Sequence, residues 1–222
     1  ANLLDIPIQQ LQDPLLTKQK YRAKMDVLKK KTQGKLVIKE YPTASAHVGH
    51  FKALLNELSL KKGFHPEIIF VDYLNICASS RYKGTIVNSY TYVKAIAEEL
   101  RGLAGEYNVP ILSATQTTRS GYGNSNVEIT DTSESFGLPA TADLMFALIS
   151  TEDMEELNQI MVKQLKNRYN DPTVYKRFVL GIDRQKMRLY DCEQGAQDNI
   201  IDAGDAPKSF TDTKKSFEGF KI

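Results

Sequence analysis

Apolar residues recur along the chain at two spacings, and the change from one to the other marks its elements. From Val87 to Tyr107, Tyr90, Val93, Ile96, Ala97, Leu100 and Leu103 fall three or four positions apart. That period predicts an amphipathic helix with one buried face, ended by Asn108. Ile68–Val71, Pro110–Thr115 and Leu144–Ile149 are instead short, nearly unbroken apolar runs. Runs of this kind predict parallel strands buried on both faces. Leu3, Leu4, Ile8 and Leu11 have near-helical spacing, and Leu16–Lys31 reads as a basic amphipathic helix that Gly34 ends. Lys35–Glu40 (KLVIKE) predicts a strand stopped by Pro42. Thr43 is the expected cap of a helix running through His47, Phe51, Leu54, Leu55 and Leu58 and closing at Lys61, Lys62 and Gly63.

The later part of the chain changes character. A short helix is expected within Asp131–Ala142 and an acidic helical turn over Thr151–Leu157. Ile160–Arg168 and Tyr175–Ile182 predict a β-hairpin across Asn170-Asp171-Pro172, with a further short strand at Met187–Tyr190. After Ile201 periodicity is lost. The expected organisation is therefore one domain over 1–201 and a flexible tail over 202–222. Strand, helix, strand, helix, strand predicts an α/β fold: a mostly parallel sheet flanked by helices, with a C-terminal antiparallel hairpin.

The chain has 222 residues, 41% of them hydrophobic and 25% charged, which is enough for one domain with a real core. No apolar run is long enough to cross a membrane as a helix. The two cysteines, Cys77 and Cys192, are far apart and form no zinc-binding or disulfide framework, which fits a reducing, cytoplasmic setting. A net charge of +2 hides strong segregation. Nine bases and one acid lie between Lys18 and Lys39; eight acids and no Lys or Arg lie between Ser120 and Val162; eight bases return from Lys163 to Arg188. Such blocks build separate basic and acidic faces.

Candidate chemistry sits where apolar runs end. Ligands of open α/β sheets bind beyond the carboxyl ends of the strands. Asp72 follows four apolar residues there, the pattern of an acid that holds magnesium beside bound phosphates. Gln116 holds the equivalent position after the next strand, where an amide can sense a γ-phosphate or the attacking water. Lys166 and Arg168, two positions apart on a strand, face the same side and could reach a phosphate on a neighbouring subunit. The other reading of that pair is an edge strand guarded by charge. The phosphate-cradling pattern G-x-x-x-x-G-K followed by Ser or Thr does not occur. If Asp72 serves magnesium, that loop is expected before Ala1.

The stretches Ile68–Ile76 (IIFVDYLNI), Leu112–Arg119 (LSATQTTR) and Asp131–Gly137 (DTSESFG), Ala142-Asp143 before an apolar strand, and Lys166-Asn167-Arg168 together resemble the DnaB-type hexameric replicative helicases. Within that family the chain is similar to the primase-associated helicases of T4-like bacteriophages. The resemblance implies a RecA-like ATPase fold, ATP or GTP with Mg2+ as cofactors, and unwinding of forked DNA by a hexameric ring. It makes Asp72 the metal-binding acid, Gln116 the sensor, and Lys166 and Arg168 groups that act on the next subunit's nucleotide. The loops at 117–130 and 131–139 would then hold single-stranded DNA, with Arg119, Ser133, Glu134 and Phe136 on them and Arg81 and Lys83 nearby. Ser133 stands where the bacterial family has Arg. Primase and a helicase loader are the implied protein partners, and an infected bacterial host the implied setting. The resemblance also implies that this chain is the later part of an ATPase core and does not hydrolyse ATP alone. A RecA-type recombinase core and a non-hydrolysing DNA-binding scaffold are the alternatives.

Overall fold

The computed structural model describes residues 1–11, 13, 18–82, 87–117, 127–129, 137–171, 174 and 176–193. Helix α1 is Ile8–Leu11, α2 is Lys18–Lys31, α3 is Val48–Lys62, α4 is Ser89–Tyr107, α5 is Gly137–Thr141 and α6 is Glu152–Glu156. The strands are β1 (Ile69–Val71), β2 (Ile111–Ser113), β3 (Leu144–Ile149), β4 (Gln159–Asn167), β5 (Arg177–Asp183) and β6 (Arg188–Asp191).

The longest apolar period in the sequence becomes the central helix. The Asn88 side chain caps α4 by accepting from the Thr91 amide at 2.8 Å, and Asn108 closes it in the left-handed region at φ 50°. Its buried face includes Val93, Ile96, Ala97, Leu100 and Leu103, and the first four of these pack with Leu74, Cys77 and Leu138. Burying each large aliphatic side chain contributes about 1.5–3 kcal/mol, several times any helix propensity, so packing rather than propensity fixes this helix. Helix α2 is the opposite case: none of its residues is buried, and seven of its fourteen are Lys or Arg.

Helix α3 is capped differently from the expectation. Thr43 lies in a turn, and His47 is the cap: its Nδ1 accepts from the Gly49 amide at 3.0 Å, while His50 Nδ1 accepts from the His47 amide at 3.2 Å. An imidazole nitrogen meets the same unsatisfied amides a threonine hydroxyl would. Gly63 closes the helix at φ 56°, and its amide reaches the Ser59 carbonyl at 2.9 Å.

Strands β1 and β2 pair in parallel, Ile69 with Ile111 through Val71 with Ser113. Strand β3 does not extend that pair among the described residues. It opens a second, antiparallel sheet of order β3-β4-β5-β6. The nine-residue connection Ser150–Asn158 is shorter than a crossover needs, so β3 and β4 run antiparallel. The α/β class holds, with the parallel pairing confined to β1 and β2.

Two expectations are corrected. Lys35–Glu40 is exposed and forms no strand, because its apolar residues find no ladder partner; Leu36 and Ile38 are 74% and 82% exposed. The apolar runs are also not covered on both sides. Phe70, Leu112, Leu144, Phe146 and Leu148 are exposed, since α3, α4 and residues 127–129 cover only one face of each sheet.

The amino-terminal arm is tied to the turn between β5 and β6. Ile6 is buried, and the Ile8 amide donates to the Gln185 carbonyl at 2.8 Å. Asp5 takes Lys186 at 2.8 Å and Arg188 at 3.0 Å, and these cations, Lys186 first, hold its carboxyl below the usual range.

Candidate functional site

The ends of β1 and β2 are bound to each other beyond the last ladder residues. The Leu74 amide donates to the Ala114 carbonyl at 3.2 Å, the Thr115 hydroxyl to Asn75 Oδ1 at 2.8 Å, and Gln116 Nε2 to the Tyr73 hydroxyl at 3.2 Å. Ser113 Oγ donates to the Val71 carbonyl at 2.8 Å. Asp72 and Gln116 are thus set on neighbouring strand ends, the juxtaposition the sequence predicts. The Asp72 carboxylate is exposed, directly after β1, and has no hydrogen-bond or ion-pair partner among the described residues. An exposed carboxylate of this kind fits magnesium, which keeps most of its waters and takes one or two carboxylates plus phosphates. Among the described residues no group of three or more His, Cys, Asp or Glu could hold a metal by itself.

Lys166, on β4, and Arg168, directly past its end, are both engaged within the chain. Lys166 Nζ donates to the Pro139 carbonyl at 2.6 Å and to Ala140 at 3.4 Å, in α5. Arg168 Nη1 reaches Asp143 Oδ1 at 2.7 Å. Asp143 Oδ2 takes Arg101 Nη1 at 2.8 Å, and the same Arg101 nitrogen donates to the Thr141 carbonyl at 2.6 Å.

The loop after β1 is organised by a residue the sequence reading passes over. Glu99, 8% exposed on the inner face of α4, accepts from Ser79 Oγ at 2.6 Å, from the Ser80 amide at 2.9 Å, from Ser80 Oγ at 2.8 Å and from the Arg81 amide at 3.3 Å. Burial pushes this carboxyl up, but the Ser79, Ser80 and Arg81 donors outweigh it and hold it below its ordinary value. Arg81 is itself paired with Glu98 at 2.5 Å. A second such residue is Lys163, 2% exposed on β4 beside Met161 and Leu165, whose Nζ reaches Glu128 at 2.8 Å. A sequence signal existed for both. Glu99 falls three positions after Ile96 and four before Leu103, and Lys163 shares a strand face with Met161 and Leu165. Lys83, Arg119, Ser133, Glu134 and Phe136, and the tail over 202–222, lie outside the described residues.

No described helix is long and apolar enough to cross a membrane. The family model of the DnaB-like helicase C-terminal domain matches residues 1–178. The DnaB-like replicative helicase of Enterobacteria phage T4 is 43% identical over 195 residues, which cover 87% of this chain and 41% of the relative. The chain therefore spans less than half the length of that relative. Two solved structures share the fold at low identity. One is an ATPase domain, at TM-score 0.68 and 15% identity, covering 86% of this chain and 68% of that one. The other is a DnaB-like replicative helicase described with its interactions with primase, at TM-score 0.66 and 16% identity, covering 86% and 46%. With the family model spanning most of the chain, the match decides between the helicase and recombinase readings of the same fold: this chain belongs to the DnaB-like helicase C-terminal domain family.

Proposed function

We propose that this chain is part of the motor of a ring-shaped replicative DNA helicase, a protein that couples ATP or GTP hydrolysis to translocation on single-stranded DNA and unwinding at the fork. The observation that supports the proposal is the hydrogen-bonded pairing of the β1 and β2 ends, the segments that carry Asp72 and Gln116. Magnesium and a nucleoside triphosphate, when bound, supply the charge neutralisation and the bond that is cleaved. Asp72 would orient the metal through its waters, and Gln116, steadied by the Tyr73 hydroxyl, would sense the terminal phosphate. Lys166 and Arg168 act on the nucleotide of the next subunit. The phosphate-cradling pattern does not occur in this sequence, so in this reading the loop would have to be supplied from outside it.

Arg81, Lys83, Arg119, Ser133, Glu134 and Phe136 are the proposed DNA-contacting residues, working through phosphates without reading sequence. The exposed side chains Phe70, Leu112, Phe146 and Leu148 are where the remainder of the ATPase core packs. Primase and a loader are the proposed protein partners, and the cytoplasm of an infected bacterium the proposed setting.

The test uses the full-length protein. Asp72→Asn should abolish nucleotide hydrolysis while ring assembly, read by light scattering, persists. Rings mixed from Asp72→Asn and Arg168→Ala subunits should regain some activity, since the two defects fall at different shared interfaces. Wild-type turnover by Asp72→Asn would refute the metal role, and wild-type turnover by Arg168→Ala the action in trans.

A further inference from the structure

Arg168 is held in an arrangement suited to release. Its backbone amide donates to the Asp143 carbonyl at 2.9 Å, which pins the end of β4 to the start of β3. Its guanidinium lies separately on the Asp143 carboxylate at 2.7 Å and is about half exposed. The chain is therefore fixed while, among the described residues, the side chain is held only by this partly exposed ion pair, and solvent-screened pairs are weak. The second carboxylate oxygen is already taken by Arg101 at 2.8 Å, and Arg101 is braced by the Thr141 carbonyl at 2.6 Å. When Arg168 leaves, Asp143 keeps a cation and no carboxylate is stranded.

We propose that Asp143 is a positioning residue for Arg168: it parks the guanidinium against its own subunit until a neighbour's nucleotide draws it away, and Arg101 keeps that departure easy. This rests on the reading of Arg168 as a group acting in trans. A triphosphate offers several negative oxygens in fork geometry and outcompetes one shared carboxylate. The two neighbours of Arg168 then have opposite effects. Removing the Asp143 charge unparks Arg168. Removing Arg101 frees the second carboxylate oxygen, so that Asp143 can take Arg168 through two bonds and hold it longer.

The experiment is steady-state hydrolysis by the full-length ring over a range of nucleotide concentrations. Asp143→Asn should raise kcat about two- to fivefold, the range an exposed ion pair can hold. Arg101→Ala should lower kcat by a similar factor. Both should leave KM within about twofold, and both effects should vanish in an Arg168→Ala background. A fall in kcat for a folded Asp143→Asn ring, or a change that persists without Arg168, would overturn the proposal. If Asp143→Asn fails to assemble, Arg101→Ala alone decides: unchanged or faster turnover refutes parking. Wild-type turnover by Arg168→Ala is a different result, since it removes the action in trans itself.

Discussion

Glu99 offers the sharpest test of how the loop after β1 is held. Its carboxylate collects four donors, two hydroxyls and two backbone amides, at 2.6–3.3 Å. Glu99→Gln keeps the shape but turns one oxygen into a donor that faces donors. The serine hydroxyls can rotate to accept, whereas the Ser80 and Arg81 amides cannot. A hydrogen bond to a charged group contributes about 1.5–3 kcal/mol and one to a neutral group about 0.5–1.5, so losing the charge across this cluster should cost roughly 1–3 kcal/mol. Glu99→Ala, which strands the buried Ser79 hydroxyl as well, should cost about 3–5 kcal/mol. Urea denaturation reads this as a midpoint lowered by about 1 M for the Gln variant. The pH dependence has a fixed sign. The folded carboxyl titrates below its ordinary 4.5, so the stabilisation is complete above that value and is lost as pH falls through the folded value. The gap between wild type and Glu99→Gln should thus be widest near neutral pH and shrink in acid. A gap under about 0.5 kcal/mol at neutral pH, or one that stays constant into acid, would refute the reasoning.

Two further outcomes follow from buried or crowded side chains. Lys163→Met keeps the volume of the buried stem and should change stability by less than about 1.5 kcal/mol, whereas Lys163→Ala should cost roughly 2–4 kcal/mol; thermal denaturation of the pair separates packing from charge. A Cβ on Gly181 would fall into the Tyr190 ring that faces it across β5 and β6. Gly181→Ala should therefore lower stability by about 0.5–1.5 kcal/mol in the wild type and lose that cost in a Tyr190→Ala background, measured as a double-mutant cycle.

What could be read from the sequence was local. The α4 period and the apolar runs ending near Asp72 and Gln116 each depend on neighbours a few residues away, and each appears in the structure. What could not be read depends on distant partners. Leu36, Val37 and Ile38 have strand propensity, but a strand exists only with a ladder partner, and none is described. The cap of α3 passed from Thr43 to His47 because imidazole is rarely weighed as a cap, although its nitrogen accepts the same amide. Arg101 and Arg168 lie 42 and 25 positions from Asp143, so nothing local announced that they share its carboxylate. Glu99 and Lys163 were legible in principle, as polar residues on apolar faces, a pattern that asks for a buried partner.

The tie between Asp5 and Arg188 joins residues 183 positions apart. Its consequence concerns the order of events during synthesis. At about 5–20 residues per second, the arm leaves the ribosome roughly 10–35 s before the β5–β6 turn that receives it. The contacts of the arm with that turn, Asp5 with Lys186 and Arg188 and Asn2 with Arg188, form only once the turn has been made, so the loop-closure entropy of that long separation falls due late. The arm is therefore a late-docking segment, added to a domain whose central helix and hairpins can already have formed.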